Sequence, residues 1–162
     1  MRAAKLEFCR FAVLILVLAL GLLGWAASPL DAEGRPVLLL PDVKRIEDYR
    51  GKVRDWKSEL RLLDGRLTTL LAGGGDLLSQ SRDGQRAFEG SLRIAKQVDA
   101  EEAPATLEGL RSMAVDTSLA YLDASRGVLE WISAPRRENY EAAVGLVQSA
   151  REQLADLVDS PW

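Results

Sequence analysis

Histidine is absent from this chain. With it go the commonest general base, the commonest metal ligand and the axial ligand usual in haem-carrying bundles. Serine–histidine and cysteine–histidine catalysis are excluded within the chain, as are the Glu-x-x-His pairs of di-iron bundles. Cysteine is nearly absent too. Cys9 stands alone near the N-terminus, so nothing downstream carries a disulfide or a thiol nucleophile. The single asparagine, Asn139, is followed by Tyr140 and Glu141 and is no N-glycosylation acceptor. An excess of positive charge is also missing, with 21 Lys and Arg against 24 Asp and Glu. Beyond residue 28 the balance is 18 basic to 23 acidic side chains. A mildly acidic, mixed surface argues against nucleic acid as a partner, which calls for a basic face.

Motifs that carry chemistry are equally scarce. Gly73-Gly74-Gly75-Asp76 lacks the Gly-Lys-Ser/Thr ending of a phosphate-cradling loop and follows a helical stretch, so it reads as a turn. Asp99, Glu101 and Glu102 match no calcium-loop signature and read as helix-terminal charge. Carboxylates are plentiful, but no pair stands apart from the solvated helix faces. The sequence therefore predicts no catalytic residue, no metal ligand and no cofactor.

What is present begins with an apolar run, Phe11 to Ala27, seventeen residues without a charge. As a helix it would span about 26 Å against a hydrocarbon core of about 30 Å. That is short for a membrane span and long for the apolar part of a signal peptide. Two membrane readings lead, a retained anchor ahead of a signal cut after Ala26, with a buried soluble helix as the third. Arg2, Lys5 and Arg10 precede the run against the single acid Glu7. The excess of cations keeps residues 1–10 in the cytoplasm and sends the rest outward. Both membrane readings make the chain extracytoplasmic beyond residue 27, tethered to the cell membrane in one case and secreted in the other.

Residues 28–42 hold Pro29, Pro36 and Pro41 and read as an extended linker, with an apolar patch at Val37 to Leu40. Residues 43–162 then carry four helical patterns. The first, Val43 to Ala72, places Ile46, Tyr49, Val53, Trp56, Leu60, Leu63, Leu67 and Leu70 at unbroken 3-4 spacing. The second, Leu77 to Ala100, is less regular. Leu78, Phe88, Leu92 and Ala95 share a face, Asp76 suits its N-cap, and Gly90 with Ser91 offers a close approach. The third follows Pro104, with a seam running from Leu107 through Thr117 and Tyr121 to Trp131. The fourth follows Pro135 and shows Tyr140, Ala143, Val147, Ala150, Leu154 and Leu157. Short connections make successive helices antiparallel. The expected fold is all-α: an N-terminal membrane helix, then an up-down-up-down four-helix bundle with coiled-coil-like heptad seams.

In outline this resembles the extracytoplasmic sensor bundle of bacterial chemoreceptors, also a four-helix domain after a first membrane span. The resemblance rests on architecture alone and assigns no family. The leading expectation is a non-enzymatic interaction or structural module, held by the membrane through residues 11–27 and binding a protein partner or a second copy. Its distal tip would carry Arg136 and Arg137, two cations opposing the dipole at the start of the fourth helix. The alternative is a small-ligand-binding bundle with a pocket around Trp56, Thr117 and Tyr121.

Overall fold

The computed structural model describes residues 41–73 and 76–161, together with Ile15, Leu18 and Ala19. The proposed anchor is otherwise outside the described residues, as is the linker as far as residue 40. Among the described residues no helix is long and apolar enough to cross a membrane. Four α-helices account for nearly all of them: α1 (Pro41–Ala72), α2 (Leu77–Ala100), α3 (Glu108–Ser133) and α4 (Arg137–Asp159). A single 3₁₀ turn, Ala105–Leu107, leads into α3.

The boundaries follow from local chemistry. Pro41 opens α1 two residues earlier than the apolar pattern implies, because proline lacks only an N–H that the first turn leaves unpaired anyway. Gly73 ends α1 at φ 71°, a left-handed backbone that side-chain-bearing residues resist, with its N–H bonded to the Leu70 carbonyl at 3.1 Å. Asp76 caps α2 by accepting from the N–H groups of Leu78 and Ser79, at 2.9 and 3.0 Å. The same bonds hold the Asp76 carboxyl below its usual pKa, the Ser79 backbone contributing most.

Cross-helix contacts set the topology. Lys52 meets Glu101, and Arg93 meets Glu59, so α1 and α2 are antiparallel. Gly84 lies beside Leu129 and Ile132, while Arg111 donates to the carbonyls of Asp99 and Glu101, which makes α2 and α3 antiparallel. Gly127 abuts Ala143 and Leu146, and Thr117 reaches the Gln153 carbonyl, so α3 and α4 alternate likewise. Arg151 of α4 returns to Asp64 of α1. The result is a helical bundle in which α1 and α3 sit across the core from each other. The α1–α2 turn and the α3–α4 turn share one end.

The seam of α1 is buried as its spacing implies: Tyr49, Val53, Trp56, Leu60, Leu63, Leu67 and Leu70 all lie inside. Trp56 packs edge-on to Tyr49, ring centroids 6.0 Å apart. The seam of α2 differs from the expected one. Gly84, Ala87, Ser91, Ile94, Val98 and, as expected, Ala95 face the core, while Phe88 and Leu92 are half-buried and Leu78 is exposed. The helix is turned by about one residue, because its small side chains admit the bulk of α3. At Gly84 a Cβ would stand 2.9 Å from Ile132 Cδ1, whereas at Gly90, the expected point of approach, nothing lies within 4 Å. Tyr140 and Trp131 also depart from the expected core. Tyr140 is exposed and Trp131 half-buried, the two rings meeting edge to face at 5.4 Å.

These two glycines make a paired prediction. Gly84→Leu overpacks the α2–α3 contact and costs about 1–3 kcal/mol. Gly90→Ala fills open space in a helix interior and adds about 0.5–1 kcal/mol. Urea denaturation of both variants reads the opposite signs directly.

Candidate functional site

A seam tyrosine must place its hydroxyl somewhere, and in a bundle core it needs a polar partner. Tyr121 is fully buried, yet its hydroxyl donates to Asp64 Oδ1 on α1 at 3.2 Å. The same oxygen accepts from Arg151 Nε on α4 at 2.8 Å. Arg151 also reaches the Thr68 hydroxyl, which in turn donates to the Asp64 carbonyl at 2.8 Å. Three helices thus meet on one carboxylate. Burial pushes the Tyr121 pKa up and the Asp64 charge adds to it, so the phenol stays protonated and donating at any physiological pH. The hydrogen bond from Arg151 to Asp64 raises the guanidinium pKa, against the opposing effect of burial. The cluster opens into a cavity of about 300 Å³ that Arg61, Leu154 and Asp159 also line.

Trp56, Thr117 and Tyr121 do not share one cavity. Trp56 is buried against Tyr49. Thr117 lies one turn before Tyr121 on the same buried face of α3, and its hydroxyl donates to the Met113 carbonyl at 2.7 Å. There it borders a groove of about 540 Å³ between α3 and α4, along with Met113, Asp116, Ala120, Gln153 and Asp156. The Gln153 Oε1 in that groove is shielded from solvent and has no partner among the described residues.

At the tip, Arg136 is the N-cap of α4 and makes no side-chain capping bond. Arg137 begins the helix and pairs with Glu141 at 2.7 Å, both groups largely exposed. Asn139 stitches the turn by donating to the Ala134 carbonyl at 2.8 Å. The α1–α2 turn at this same end carries two residues the seam analysis did not mark as surface: Leu77 and Leu78 are 72% and 61% exposed.

Asp64, Thr68 and Arg151 escaped the sequence reading because they lie on apparently solvated faces, 57 and 87 positions from their partners. The signal that leads to them is Tyr121 itself, a phenol on a seam whose hydroxyl had to be matched. No protein-family model, curated protein or solved structure matches the chain.

Because Tyr121 and Arg151 share one carboxylate oxygen, their contributions are coupled. Tyr121→Phe costs about 1 kcal/mol. In a double-mutant cycle with Arg151→Met the two losses differ from additive by about 0.5 kcal/mol or more. Strict additivity in urea denaturation shows instead that solvent serves Asp64 as well as the protein does.

Proposed function

We propose that this chain is a membrane-tethered helical bundle, presented outside the cytoplasm, that works by binding another protein and not by catalysis. The observation that carries the reading is the exposure of Leu77 and Leu78 at the bundle tip. Adjacent leucines in the first turn of a helix lose favourable burial when left in water, by about 1.5–3 kcal/mol each relative to full burial. Solubility selects against such a pair unless a partner covers it. Arg136 and Arg137, on the turn at the same end, add positive charge beside the apolar surface. A fitting partner offers an apolar pocket with an acidic rim.

The tether rests on the uncharged run of residues 11–27 and on the cations that precede it. Ile15 and Leu18 support it, being helical and more than half exposed, as lipid-facing side chains are. A second reading, a small ligand held between helices, has in its favour the groove beside Thr117 with its unpartnered Gln153 oxygen.

Two experiments test the proposal. Photo-crosslinking residues placed at Leu77, Leu78 and Arg136 in the full chain capture the partner in cells, whereas the same probe at exposed Glu152 on the flank does not. Equal yield at all four positions, or none at the tip, removes the tip as the docking surface. Alkaline extraction leaves the chain in the membrane fraction with residues 1–27 still attached. Release into the soluble fraction, or a mature chain starting at Ala27, removes the tether.

A further inference from the structure

The exposed cations of α1 are arranged in a way that helix stability alone disfavours. Arg50, Arg54, Lys57 and Arg61 follow one another at spacings of three or four residues, so like charges neighbour one another along a single face. Each such pair destabilises a helix by a few tenths of a kcal/mol. Elsewhere the opposite choice is made: Arg86, Arg111, Arg126 and Arg137 each take a carboxylate three or four residues away. Arg54, Lys57 and Arg61 have no ion pair among the described residues, and Arg50 alone meets an acid, Glu47 at 2.9 Å. Repulsion is felt at Lys57, whose pKa is lowered first by burial and next by Arg61, against a smaller opposing pull from Asp159.

Three of these cations converge on one cavity. Arg50, Arg54 and Lys57 line a cleft of about 360 Å³, with Val53, Leu110 and Pro161 as its apolar walls and Glu47 as its one carboxylate among the described residues. Arg50 Nε itself is shielded from solvent and has no acceptor among the described residues. That N–H is out of reach of a ligand, so what the cleft offers an anion is the positive charge and the terminal N–H groups of its three cations. The cleft has donors and positive charge in excess, apolar walls, and more room than a bare oxyanion fills.

We propose that this cleft, between the N-terminal half of α1, the start of α3 and the segment just past α4, binds a phosphate monoester, its oxygens held by Arg50, Arg54 and Lys57. A monoester carries close to two negative charges at neutral pH and three acceptor oxygens, which three cations match. Its organic part lies against Val53, Leu110 and Pro161. The ester comes from one of two sources, a soluble metabolite or the headgroup of a lipid.

The test is calorimetric titration of the full chain in uncharged-detergent micelles at constant ionic strength. Glycerol 3-phosphate is the soluble probe, and mixed micelles with or without phosphatidic acid supply the lipid one. Saturable heat with glycerol 3-phosphate assigns the soluble source, and saturable heat only with phosphatidic acid assigns the headgroup. In either case Arg54→Gln with Lys57→Gln weakens binding about tenfold or more, while Arg66→Gln with Arg82→Gln, which removes the same two charges elsewhere on the bundle, leaves it unchanged. Saturation by neither probe overturns the proposal. So does an equal loss in the variant lacking Arg66 and Arg82, which reduces the effect to general attraction.

Discussion

Seven side chains of α1, from Tyr49 to Leu70, are withdrawn almost completely from water, and the rest of the bundle is arranged to keep them so. A face of this length cannot be covered by one neighbour. It needs α2 and α4 on its flanks and α3 opposite, and each of those helices contributes a matching 3-4 ladder: Leu110 to Val128 on α3, Ala143 to Leu157 on α4. Burying large aliphatic side chains contributes roughly 1.5–3 kcal/mol apiece before conformational entropy is set against it. Four such ladders support a bundle of this size without an internal disulfide.

The seam of α1 was legible residue by residue because each of its positions is large and apolar, so the 3-4 period stands out against a charged background. The caps were legible for a similar reason, Asp76 and Gly73 being residue types with few other uses at a helix end. The face of α2 was not. Hydrophobicity ranks Phe88 and Leu92 above Ala87 and Ser91, but closeness of approach ranks them the other way, and in the α2–α3 contact closeness won. Composition within one helix does not reveal that its neighbour presents Leu129 and Ile132 at the same level. The Asp64 cluster was hidden by separation along the chain, since the three groups that define it belong to three different helices. Tyr140 was misplaced because a helix's first turn lies beyond the last covering residue of its neighbours, so a seam position there finds solvent.

The molecule's polar chemistry divides along the bundle's length. Near mid-bundle, a carboxylate, a phenol and a guanidinium satisfy one another and leave little to offer a ligand. Toward the ends the accounting is incomplete: leucines without cover at one tip, and at the other a row of cations with fewer acids than neutrality asks for. Surfaces left unmatched in this way are the ones on which the proposed recognition rests.

Asp64 has a mechanical meaning as well. Sliding α4 along α1 by one helical turn, about 5.4 Å, would tear Arg151 away from it and strand a half-buried negative charge. Tyr121 forbids the same slip for α3. The bundle is thus pinned at its waist, where sliding one rod past another costs more than splaying or twisting the rods about that point.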